Sequence, residues 1–161
     1  MGKLDTINNQ LENSTFPISL NTLEELKMKL PKIERSYIEI TLKALKKEFK
    51  SDQLFYALEG VQPSLTKYGF LLMTETDVVL SIHKGSIMPS ATIEKIPFSK
   101  IKEVDFDIIP IPINPFGVNE GIIYLTHKKG FGSKKLTIRD VTVSRLDSLV
   151  EQLKYAANQH N

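Results

Sequence analysis

Three histidines, His83, His127 and His160, are the side chains of this chain best suited to moving a proton at neutral pH. None has the sequence company that catalysis requires. No serine stands in a nucleophile-elbow setting, and no metalloprotease, P-loop or dinucleotide-binding motif occurs. His83 and His127 fall at the ends of strand-like segments and read as surface histidines, while His160 lies in the tail. Asp105 and Asp107 share one face of a strand. Carboxylate pairs run acid–base chemistry in many sites, but at this spacing they read as a solvated strand face. The chain has no cysteine, which excludes thiol catalysis, thiolate zinc sites and iron–sulfur clusters. The expectation is a protein without catalytic residues, metal or cofactor.

Three segments carry binding chemistry instead. Residues 109–121 read IPIPINPFGVNEG, with three prolines and two glycines, which argue against regular structure throughout. Ile109, Ile111, Ile113 and Phe116 are too many apolar side chains for a short loop to bury, and prolines that hold a segment extended lower the entropy lost on binding. This segment is the first candidate for a partner-binding surface. The second is a basic hairpin over 127–139. Lys128 and Lys129 face Lys134 and Lys135 across a turn with Phe131 at its tip, a pattern that fits anionic headgroups with an aromatic insertion point. Lysines on an exposed hairpin also protect strand edges and keep proteins soluble. The third is the face Lys43, Lys46, Lys47 and Lys50 of a helix. It is diluted by Glu39 and Glu48 and reads as a solvated face.

Bulk properties set limits. The composition is 41% apolar and 25% charged, ordinary for a globular chain. A net charge of +2 gives no electrostatic case for nucleic acid. No apolar run approaches the roughly 20 residues of a membrane-spanning helix. The first 20 residues lack a secretory core, so a cytoplasmic location is expected.

Stepping along the chain, residues 1–20 are polar and read as a flexible arm anchored by Phe16 and Ile18. Thr22 with Glu25 reads as a capping box before a helix striped by Leu23, Leu26 and Leu30, which Pro31 ends. A second helix, about Lys32 to Phe49, carries Tyr37, Ile38, Leu42, Leu45 and Phe49 on one face. These helices must pack on the rest of the protein or on a second copy. Strand character starts at Leu54 in a segment closed by Gly60 and Pro63. Further strands follow at about 69–74, 77–83, 91–95, 104–108, 122–126 and 135–139, with a corner at Ile96–Pro97–Phe98. A last helix carries Val143, Leu146, Leu149, Val150 and Leu153 on one face. Residues 1–50 are thus an arm and helical segment, and 51–161 a strand-rich unit sealed by a helix.

Residues 58–157 resemble the bacterial pleckstrin-homology-like (PH-like) domains, in particular the YokE-like group. The likeness rests on ALEGV at 57–61, GFLLMTETDVVLSI at 69–82, EKIPFSKIKEVDF at 94–106, GIIYLT at 121–126 and the closing helix. Gly69, Thr74, Ile96, Pro97, Phe98, Ile101 and Val104 fit the family's glycine, threonine-ended strand and isoleucine–proline–aromatic corner. The chain departs from the pattern at Glu75–Thr76–Asp77, where many relatives place an asparagine and an arginine, and in its long greasy loop at 109–121.

The resemblance implies an α+β fold: a small antiparallel barrel of about seven strands, capped by the C-terminal helix and preceded by the helical segment. Fold alone does not transfer function. The expected role is a non-enzymatic module that docks a protein or peptide through a strand edge or the 109–121 loop, with self-association as one form. The alternative is peripheral binding of anionic membrane lipid through the basic hairpin.

Overall fold

The computed structural model describes residues 4–85, 87–110 and 119–160. Helices α1 (Asp5–Glu12), α2 (Leu20–Met28) and α3 (Lys32–Glu48) are followed by seven long strands. These are β3 (Ala57–Ser64), β4 (Lys67–Met73), β5 (Asp77–Lys84), β6 (Ser90–Pro97), β7 (Ile101–Pro110), β8 (Asn119–Lys129) and β9 (Gly132–Val141). Two short strands, β1 (Ile18–Ser19) and β2 (Leu54–Phe55), pair with each other, and α4 (Val143–His160) closes the chain. The seven strands form one antiparallel sheet in the order β6-β5-β4-β3-β9-β8-β7. A 3-10 turn, Phe98–Lys100, makes the corner between β6 and β7, where the isoleucine–proline–aromatic run predicts one.

The apolar runs of β4 and β5 are explained by burial on both faces, which removes the alternation of a half-buried strand. Register pairs Leu71 with Leu80 and Met73 with Val78, and these side chains enter one core with α4. Leu72 pairs with Val79, and both face the other way, into a second core formed with the three N-terminal helices. In α4, Leu146, Leu149, Val150, Leu153 and Ala157 seal this first core. Ile38, Leu42 and Leu45 of α3 pack on the outer core. The helical segment therefore packs on the sheet of its own chain.

Several expectations need correction. The arm is a helix. Leu4, Ile7 and Leu11 are buried against the sheet, and their spacing is one helical face, masked by the polar residues between them. Leu4, at the N-cap of α1, makes no side-chain cap. Glu34 of α3 supplies the missing acceptor, taking a hydrogen bond of 2.8 Å from the Ile7 N–H. Phe16 and Ile18 do anchor the following segment. The capping box of α2 is built by Ser19 and Thr22, with Thr22 at the third helical position. Strand β3 runs through Gly60 and Pro63, with its register shift falling between Val61 and Ser64. Ile109 and Pro110 belong to β7, and Asn119–Gly121 to β8, so pairing reaches further into the 109–121 segment than its prolines imply.

Candidate functional site

His83 and His127 are not surface histidines. His83 leaves β5 toward α3, where its Nε2 lies 2.7 Å from Thr41 Oγ1, itself 3.2 Å from Ser81 Oγ. Its ring stacks on Tyr37 with centroids 5.2 Å apart and tilts against Phe70. Burial pushes its pKa down to about 4. The group is a neutral pin between helix and sheet. His127 is buried, with Nδ1 3.1 Å from the Lys128 carbonyl oxygen. His160 stacks on Phe98. Among the described residues, no three histidine, aspartate or glutamate side chains stand close enough to share a metal ion. Asp105 and Asp107 are exposed on β7, each accepting from the next residue's N–H.

One buried charge escaped the sequence reading. Glu59 of β3 has its side chain fully buried, and its carboxylate meets Arg145 of α4 at 2.6 Å. The Thr142 N–H donates to the same carboxylate, and Arg145 also donates to the Leu58 carbonyl. Burial raises the Glu59 pKa, while Arg145 and the Thr142 hydrogen bond oppose the rise. This pair clasps the start of α4 to the sheet. A lone glutamate in an alternating strand gave no signal for it.

The hairpin forms, but Lys128 and Lys129 stand opposite Ser133 and Gly132 rather than opposite Lys134 and Lys135, which pair with His127 and Thr126. Its four lysines are not equivalent. Lys134 reaches Glu94 of β6 at 3.4 Å, and Lys135 sits over the Tyr124 ring. Lys128 and Lys129 are exposed, and Phe131 at the tip is fully so.

Among the described residues, the sheet ends in two strands that each pair on one side only, β6 and β7. On β7, Val104 is buried, but Phe106, Ile108 and Ile109 are each 37–40% exposed. The other three members of the candidate partner surface, Ile111, Ile113 and Phe116, lie outside the described residues. At the opposite edge, β6 and α3 enclose an open groove of about 660 Å³. Its lining includes Ile40 and Ala44 from the helix and Ala91 and Ile93 from the strand.

This arrangement can be set beside known proteins. No protein-family model matches the chain. The SPbeta prophage-derived uncharacterized protein YokE of Bacillus subtilis (strain 168) is 36% identical over 153 residues, covering 94% of this chain and 96% of that protein. The chain belongs to the YokE family. Its fold is also that of a solved structure, the hSac2 domain from human phosphoinositide phosphatase Sac2. That match has a TM-score of 0.52 and 12% identity, covering 75% of this chain and 80% of that one. A further match, to the PDZ-RhoGEF DH/PH domains in complex with activated RhoA, has a TM-score of 0.41 and spans 55% of that chain. The YokE-family chain thus has a PH-like α+β fold, with its seven-stranded sheet followed by a C-terminal helix. Among its described residues, no helix is long and apolar enough to cross a membrane.

Proposed function

We propose that this chain is a non-catalytic binding module that docks a protein or peptide partner along a free strand edge or through the adjoining 109–121 segment. The observation that carries this reading is the open sheet: among the described residues, β6 and β7 each have a neighbour on one side only. An unpaired edge is a template for another extended chain, and β7 adds half-exposed Phe106, Ile108 and Ile109 beside it. The histidines support the non-catalytic part, since His83 and His127 are spent on packing. A photo-crosslinking residue placed at Ile109 or at Thr92 should give discrete protein adducts in cells. Tyr155, exposed on α4, is the control position. Adducts absent from both edges, or equal at Tyr155, would remove the reading.

One observation favours a second reading, peripheral binding of anionic lipid through Lys128, Lys129, Phe131, Lys134 and Lys135. Phe131 stands fully exposed between exposed lysines, the form of an interfacial anchor. Co-sedimentation with phosphatidylserine vesicles at low salt, lost in Phe131→Ser and at high salt, supports it. Protein left in the supernatant at low salt rules it out.

A further inference from the structure

We propose that the groove between α3 and the free edge of β6 receives an extended, acidic peptide segment of a protein partner, which joins the sheet beside β6. This rests on the strand-edge reading above and names its edge and the partner's chemistry. The strand dictates the form of the occupant. Among the described residues β6 pairs with β5 alone, from Asp77↔Pro97 to Lys84↔Ser90, so its outer backbone donors and acceptors are matched only by another extended backbone. A helix or a small molecule would not satisfy them.

The helix dictates the charge. Glu39, Lys43 and Lys47 follow one another at four-residue steps along α3, which makes them a single row facing the groove. Lys43 lies 4.0 Å from Glu39, at the outer limit of an ion pair. Glu48, at the end of the groove, is neutralised by Lys95, whose ammonium lies 3.2 Å from both its carboxylate and its backbone oxygen. Among the described residues Lys47 has no acidic partner, so the row carries net positive charge. Carboxylates on the face of the incoming strand nearest α3 would cross Ile40 and Ala44 with their stems and end on Lys43 and Lys47.

The neighbouring turn supplies apolar surface. Ile87 and Met88, immediately before β6, are 93% and 84% exposed, and Pro89 belongs to the groove lining. Two large apolar side chains left in water beside an open strand edge mark a contact surface.

The test uses the full chain and an octapeptide alternating glutamate and valine, matched to the eight residues of β6. Its period of two places all carboxylates on one face. At about 1 mM peptide, where a weak complex is populated, amide resonances of residues 90–97 and of the α3 row should shift. The double variant Lys43→Glu with Lys47→Glu changes exposed side chains and should weaken binding about tenfold or more. A valine–lysine octapeptide should not bind, and the same acidic peptide N-methylated at alternate residues should lose binding.

Shifts confined to residues 101–110 would leave the strand-edge reading standing and overturn the groove. Shifts at neither edge would overturn both. Equal binding of the N-methylated peptide would exclude strand addition. A dimer by light scattering, with amides 90–97 already protected in the free protein, would assign the groove to a second copy and overturn a partner peptide.

Discussion

Asn8 and Gly60 exchange two hydrogen bonds across 52 residues of chain: the Gly60 N–H donates to Asn8 Oδ1 at 2.8 Å, and Asn8 Nδ2 donates to the Gly60 carbonyl at 3.2 Å. Both residues are buried. The side-chain amide stands in for a strand neighbour and fixes α1 to β3. Asn8→Leu should therefore destabilise the fold by about 1–3 kcal/mol, because it strands two buried backbone groups. A Cβ at Gly60 would lie 2.9 Å from both Asn8 Oδ1 and Leu4 Cβ, so Gly60→Ala should lose about 1–3 kcal/mol by overpacking. Urea unfolding measures both. Losses below about 0.5 kcal/mol would mean that α1 is not held this way.

The Glu59–Arg145 clasp predicts an asymmetry. Arg145→Met leaves a carboxylate buried without its cation and should cost about 3–5 kcal/mol. Adding Glu59→Gln removes the stranded charge and should restore a substantial part of that loss. Urea midpoints of the two single variants and the double variant decide it. If the two effects simply add, the pair is not coupled.

His83 gives the fold an acid sensitivity. Its folded pKa, about 4, lies below the ordinary histidine value of 6.5, so the unfolded chain takes up the proton first. The stabilisation is complete above about pH 6.5, falls as the pH drops toward about 4 and levels off below that. It amounts to at most about 3 kcal/mol. The ring is faced by Tyr37, Thr41 and Phe70. Stability profiles of the parent and His83→Gln between pH 7 and 4 should diverge in slope. Parallel profiles would contradict the depressed pKa.

Removal of residues 1–50 should not yield a clean PH-like core. Leu58, Phe70, Leu72 and Val79 are buried against α1, α2 and α3, and the deletion would expose that side of the sheet. The expected product aggregates or binds a hydrophobic dye. A monomeric truncated protein with a cooperative thermal transition would show that the helices are dispensable.

The legible part of this fold is the part written in local pattern. The stripes of α3 and α4 repeat at helical spacing, and the Ile96–Pro97–Phe98 corner announces itself through proline. The YokE-family resemblance could therefore be drawn from GFLLMTETDVVLSI and the closing helix. Where the pattern was diluted, the reading slipped. Leu4, Ile7 and Leu11 hold α1 down, but asparagine and glutamine between them gave the segment the look of an arm. His83 read as a surface histidine because Tyr37 and Thr41, which cover it, come from α3.

Side-chain period, then, was enough to mark the buried stripes of α3 and α4, since apolar side chains leave water whatever their eventual neighbours. Only the tertiary structure decided that β4 and β5 divide their apolar residues between two cores, that Asn8 answers Gly60 and that Arg145 answers Glu59. It also decided that α3 lies beside an unpaired strand edge. Those relationships join backbone and side-chain groups far apart in the chain. Hydrogen bonds and ion pairs depend on distance and direction in space, and neither is encoded in the spacing of residue types along a strand or helix.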